Sequence, residues 1–190
     1  MKRAFTFILL LSVLLTGCAR PPEEDAHPEW DGAWLRMGDV LAAEQPEGFE
    51  FNESNDVLSI SGLYYATWTA GEGREITNPQ GREARVYDAQ IYLLLKEGKT
   101  EGGSKADIAD WIKREKASYE TEEERTVTVN GQEFTLLSMT APRNENPYHH
   151  GISVFALRGT NAITVELLCA EGCEVDAEAV MLRFLEGLHY

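Results

Sequence analysis

A chain of 190 residues suits one domain, and its 43% apolar and 26% charged residues are those of a folded protein, which speaks against a disordered or collagen-like chain. Its 17 basic side chains face 32 acidic ones, a formal net charge of −15. That balance speaks against binding nucleic acid, whose phosphates need clustered Lys and Arg, and against electrostatic docking on anionic lipid.

The first segment in chain order reads as an address. Lys2 and Arg3 precede an apolar run over 4–15 that only Thr6 and Ser12 interrupt. A helical bilayer span takes ~20 residues, whereas ~7–15 apolar residues are expected in a secretory signal peptide. Leu15-Thr16-Gly17-Cys18 follows directly and resembles, at every position, the lipobox of bacterial lipoproteins. The resemblance implies that residues 1–17 are a signal peptide, that cleavage falls before Cys18, and that Cys18 is lipidated. A cell-membrane or outer-membrane location facing the periplasm or the exterior goes with it. An ordinary signal peptide with a chance Cys, or an uncleaved membrane helix, is the alternative.

Losing residues 1–17 removes Lys2 and Arg3 and leaves a net charge of −17. Residues 18–29 then carry Pro21, Pro22 and Pro28 among Glu23, Glu24, Asp25 and Glu29, with almost no apolar side chain. An acidic, Pro-rich stretch of this kind is an extended tether.

Residues 30–190 read as one globular domain. Trp30, Trp34, Met37 and Leu41 stand at helical spacing and predict a short helix, weakened by Gly32 and Gly38. Phe49, Phe51, Val57, Leu58 and Ile60 are strand formers, as are Leu63, Tyr64, Tyr65, Thr67 and Trp68, with Gly62 at a corner between them. Residues 71–81, with three Gly and Pro79, predict a loop, and 84–95 a single long strand near the middle of a sheet. Ser104 and Asp107 have the spacing of a helix cap, and Ile108, Trp111, Ile112, Glu115 and Tyr119 trace one helix face on which Glu115 is the single polar intrusion. Asn130-Gly131 between 125–129 and 132–136 predicts a two-residue hairpin that pairs Val127 with Phe134 and Arg125 with Leu136. Glu122, Glu123 and Glu124 before it read as a solvated turn. After an irregular stretch over 141–150, a second hairpin joins 152–157 to 163–168 through Gly159, Thr160 and Asn161. Asp176 is placed to cap a last helix with Ala177, Val180, Met181, Phe184, Leu185 and Leu188 on its apolar face.

Hairpin-joined strands with few helices predict an α+β fold, a mainly antiparallel sheet flanked by helices. The strand entry at Gly62-Leu63-Tyr64-Tyr65, the mid-chain helix, the two hairpins and the closing Phe184-Leu185-Glu186-Gly187-Leu188 resemble, in element order, the PsbP-like fold. That fold is an α/β/α sandwich shared by photosystem extrinsic proteins, a nuclear Ran-release factor and bacterial envelope lipoproteins. The resemblance implies a binding or assembly role and assigns no residue a task.

Cys169 and Cys173, outside the cytoplasm, are a candidate disulfide; two reduced thiols and half of a metal site are the alternatives. Tyr148, His149 and His150 with Glu145 read as a solvated loop, because adjacent His side chains diverge and zinc ligands come from separated positions. The oxygens of Asn52, Glu53, Ser54, Asn55 and Asp56 lack the register of a calcium loop and read as a turn. Tyr64, Tyr65 and Trp68 are a candidate interaction surface: alternation sends Tyr64 and Tyr65 to opposite faces, so one face shows aromatic surface unless helices cover both.

No Gly-x-Ser-x-Gly, phosphate loop or His-Glu-x-x-His occurs in the sequence. The expectation is a lipid-anchored, extracytoplasmic, non-enzymatic binding or scaffold domain with no cofactor or metal. It holds the membrane through its N-terminal lipid and meets an envelope protein or peptide of basic character. An immunity or inhibitor lipoprotein acting against a toxin is the alternative, and an envelope hydrolase or metal-dependent enzyme the second.

Overall fold

The computed structural model describes residues 35–54, 62–77, 81, 83–143 and 146–190, which lie in one compact unit, 32–190. The signal segment, Cys18, the tether, Trp30, Trp34, 55–61 and Glu145 fall outside the described residues. Among these, the strands are β1 (Leu35–Met37), β2 (Leu41–Ala43), β3 (Glu50–Ser54), β4 (Leu63–Ala70), β5 (Arg74–Thr77), β6 (Glu83–Val86) and β7 (Ala89–Lys96). Helix α1 (Glu101–Ser118) leads into β8 (Tyr119–Val129), β9 (Gln132–Pro142), β10 (Tyr148–Arg158) and β11 (Asn161–Ala170). Helix α2 (Ala177–Glu186) and β12 (Leu188–His189) close the chain.

Seven strands form one sheet in the order β3-β4-β7-β11-β10-β9-β8, and its neighbours pair antiparallel throughout. A second sheet is β1-β2-β12 and a third is the β5-β6 ribbon. The fold is α+β, as the hairpin pattern predicted.

Strand alternation divides the large sheet into two unlike faces. Trp68, Ile91, Leu167 and Ile152 align across β4, β7, β11 and β10, and with Leu93, Leu95, Val165 and Val154 they form a dry core. Helix α2 covers this face with Met181, Phe184 and Leu185. One residue along each strand, Thr67, Tyr92, Glu166, Ser153 and Leu137 align on the opposite face. Helix α1 lies on that side, chiefly over β10, β11 and the start of β8, so a helix stands on each side of the sheet.

The hairpin at Asn130-Gly131 has the predicted register, Val127 opposite Phe134 and Arg125 opposite Leu136. Both turn residues have positive φ, 50° and 77°, which Asn and Gly tolerate. The second hairpin turns at Gly159-Thr160, with Arg158 opposite Asn161. Asp176 caps α2 by accepting from the Ala179 N–H at 3.1 Å.

Elsewhere the structure corrects the sequence. The short helix expected up to Leu41 is instead the hairpin of β1 and β2, turned at Gly38 with φ of 57°, because β2 has β12 as a partner on its other side. The expected loop over 71–81 contains β5, and the long strand expected over 84–95 is broken at Tyr87-Asp88 into β6 and β7. Asp88 sets that break: its side chain packs against Gly71 and its carbonyl accepts from the Ala170 N–H at 2.8 Å. Helix α1 starts a turn earlier than Ser104, capped by Thr100, whose hydroxyl accepts from the Gly103 N–H at 3.2 Å. Ser104 is instead buried and donates to the Thr160 carbonyl at 2.5 Å. Glu122, Glu123 and Glu124 lie in β8, an edge strand with two register shifts, where acidic side chains and bulges discourage further pairing. His149 and His150 lie in strand β10, not in a loop, and Asn52, Glu53 and Ser54 lie in β3.

Candidate functional site

Helix α1 leaves the β3-β4-β7 part of its face beyond its flank, and that part is polar and aromatic. Tyr65 on β4 and Tyr92 on β7 sit diagonally across the ladder and stack, with ring centroids 5.8 Å apart and planes at 28°. Diagonal neighbours lie within reach of aromatic side chains, so the pleat itself brings these rings together. Thr67, directly opposite Tyr92, is buried between them and accepts from the Asn52 amide of β3 at 3.3 Å. Glu53, exposed on β3, pairs with Thr67 across the ladder, and Glu166 on β11 flanks Tyr92 on the other side.

The field at this face is negative. Burial raises the Tyr92 hydroxyl above its ordinary pKa, and Glu166, Tyr65 and Glu53 raise it further. Helix α1 packs on β11, and there Glu115 and Glu166 act on one another. Burial first, and the Glu115 charge second, push Glu166 up to about 8, against the pull of Arg114. Tyr119, at the start of β8, is raised to about 12 by burial, then by Glu115 and Glu166.

The residues singled out in the sequence separate. Tyr65 stands on the open face. Trp68 does not: it is 0% exposed, packed edge-on against Phe184 and Phe51, and its indole N–H donates to Gln45 at 3.2 Å. Tyr64 points to the α2 side, half-buried at the border of the dry core, and donates to Glu97 at 3.2 Å. The candidate trio is thus corrected to Tyr65 with Tyr92, because strand alternation carries Tyr64 and Trp68 to the covered face. Cys169 and Cys173 flank a tight turn in which the Cys173 N–H donates to the Ala170 carbonyl at 3.2 Å. Both carry free thiols in this structure, and the two act on one another. Burial and then Cys173 push the Cys169 thiol up to about 12. Among the described residues no three His, Cys, Asp or Glu side chains gather as a metal site, and no helix is long and apolar enough to cross a membrane.

Tyr92 and Glu166 carry no mark in the sequence, and Glu53 stands out there only as one oxygen of a turn without calcium-loop register. Tyr92 and Glu166 are embedded in apolar strand runs, and only their parity within β7 and β11 marks them as facing away from Ile91 and Leu167. Glu115 did carry a signal, as a charge within an apolar helix stripe.

No protein-family model and no curated protein sequence matches the chain. Among solved structures, the chain is similar to cyanobacterial PsbP (CyanoP) from Synechocystis sp. PCC 6803, with TM-score 0.48 and 13% identity over 83% of this chain and 92% of that one. It is similar to the Ran-binding protein Mog1p of Saccharomyces cerevisiae, with TM-score 0.42 and 12% identity over 80% of this chain and 90% of that one. A protein from Bacteroides thetaiotaomicron VPI-5482 is similar with TM-score 0.39 and 11% identity over 83% of this chain, which spans 47% of that protein. At these identities the likeness concerns the course of the chain and none of its chemistry.

Proposed function

We propose that the protein is a lipid-anchored, extracytoplasmic binding module whose open tyrosine face docks a cationic segment of an envelope protein or peptide. The observation that carries this reading is the Tyr65–Tyr92 stack with Glu53 and Glu166 beside it. A Lys or Arg side chain laid on that pair meets an aromatic face, which favours a cation by ~0.5–1 kcal/mol at an exposed site. Glu53 and the acidic balance of the chain steer it there. Each contact is weak, so complementarity of charge sets partner choice and encounter rate more than tightness. The anchor rests on the lipobox: Cys18→Ala should abolish incorporation of labelled fatty acid, and retained label would remove the basis for the membrane location.

Docking is tested by titrating the purified chain with a hexa-arginine peptide at low and high salt. Tyr92→Ala and Glu53→Gln should each weaken binding several-fold at low salt, whereas Glu122→Gln on the distant edge strand should leave it within about twofold. Equal effects at all three positions would reduce the interaction to net charge and end the claim for this face.

A further inference from the structure

Beyond Thr67 the open face runs on into a cleft. Thr69, the next residue of β4 on that face, lies one pleat further, ~7 Å along the strand. There a cleft of about 790 Å³ opens between β3, the end of β4 and the β5–β6 ribbon, lined by Glu50, Asn52, Thr69, Glu72, Arg85 and Tyr87. Asn52 joins the two regions, since it lines the cleft and its amide donates to Thr67 at 3.3 Å.

Arg85 is the cation of this cleft. Glu75 stands directly opposite it in the ribbon, in position for a cross-strand ion pair. Yet among the described residues the Arg85 side chain forms neither ion pair nor hydrogen bond, with Glu75 or with Glu50 and Glu72 of the cleft. It lies instead across Gly73, where any Cβ would collide with it, and its guanidinium sits 5.6 Å from the Tyr87 ring centroid. Gly73 and Tyr87 therefore hold the guanidinium at the cleft with its hydrogen-bonding fork uncommitted. A planar fork of this kind matches a carboxylate, which it meets with two parallel N–H donors. Glu50 and Glu72 repel a bare anion from the same cleft, so its occupant must bring positive charge along with the carboxylate.

We propose that this cleft seats the C-terminal carboxylate of the segment that docks on the tyrosine face: Arg85 holds the chain end, and the basic side chains behind it reach Glu50, Glu53 and the Tyr65–Tyr92 pair. A chain end fits because the β4–β5 turn at Gly71-Glu72-Gly73 walls the cleft where the face stops. The identity of the occupant as the partner's terminus rests on the proposed binding role; the affinity of the cleft for a carboxylate does not.

Hexa-arginine with a free C-terminal carboxylate, and the same peptide as its C-terminal amide, are titrated into the full chain at low salt. Net charge alone favours the amide, which is the more positive of the two against an acidic protein. The cleft reverses that order: the acid should bind about three- to fivefold more tightly, as an exposed ion pair allows. Arg85→Gln should abolish the preference and leave the affinity of the amide within about twofold, which also shows that the variant is folded. An acid bound no more tightly than the amide, or a preference that survives Arg85→Gln, would overturn the cleft. A hexa-arginine amide extended by Glu that matches the acid would overturn the assignment to a chain end. Tyr92→Ala separates the two proposals, because it should weaken acid and amide alike. Equal binding of both peptides with a loss in Tyr92→Ala overturns only this inference. An Arg85-dependent preference with both affinities unchanged in Tyr92→Ala overturns only the tyrosine face, and binding of neither peptide overturns both.

Discussion

Trp68 and Phe184 meet edge to face, with ring centroids 5.3 Å apart and planes at 64°, and join the middle of β4 to α2 across the dry side of the sheet. Phe184 is 4% exposed and Trp68 is 0% exposed, so truncating either leaves a cavity. Phe184→Ala should lower the unfolding free energy by ~3–5 kcal/mol in urea titration. Tyr65→Ala, on the open face, should lower it by well under half as much. Equal losses would mean that the two faces are not divided as described.

Gly98 lies where the end of β7, the start of α1 and the β10–β11 turn converge. A Cβ there would come within 2.1 Å of the Thr160 carbonyl oxygen, which is backbone and cannot swing aside. Gly98→Ala should destabilise the protein by ~1–3 kcal/mol, as overpacking does, and should break the bond from Ser104 to Thr160. A thermal midpoint equal to wild type would show that this junction yields without strain.

Stability should fall as pH rises through the mildly alkaline range. In the folded state Glu166 holds its proton up to about 8, whereas in the unfolded chain it gives it up in the ordinary carboxyl range. Between those limits the native state binds more protons, so the contribution is fully present below the ordinary carboxyl range and gone above about pH 8. The urea midpoint of the wild type should therefore drop from about pH 5 to about pH 9 by more than that of Glu166→Gln. Parallel curves would show that Glu166 titrates like a free carboxyl.

The two thiols should differ in reactivity. Cys169 is 0% exposed and its thiol is pushed up to about 12, so almost none of it is thiolate near neutral pH. Cys173 is half-buried. Brief iodoacetamide treatment of the reduced, folded chain should label Cys173 and spare Cys169, as read by peptide mass spectrometry. In a separate sample that has not been alkylated, diamide should oxidise the two neighbouring thiols to a disulfide and lower the mass by about 2 Da. Labelling of both at one rate would contradict the burial of Cys169.

Local chemistry makes much of the fold legible in the sequence. Asn130-Gly131 dictates its hairpin because both turn residues accept positive φ, and the register of Val127 with Phe134 follows from the two-residue loop alone. Asp176 and the apolar spacing from Ala177 to Leu185 dictate α2. By contrast, Met37 and Leu41 carry helical spacing and still form strands, because β12, almost 150 residues further along the chain, pairs with β2. No local signal reports so distant a partner.

The sequence by itself determined the acidic balance, both long hairpins and the α+β class, all of which depend on residue type and short-range spacing. Only the tertiary structure decided which aromatic residues face outward. A strand shows which residues share a face, but not which face receives a helix; here α2 buries the side of Trp68, and the flank of α1 leaves Tyr65 and Tyr92 together. The meeting of Glu115 with Glu166 was likewise decided by packing, since 51 positions separate them in the chain and only the seating of α1 on β11 brings one carboxyl to the other.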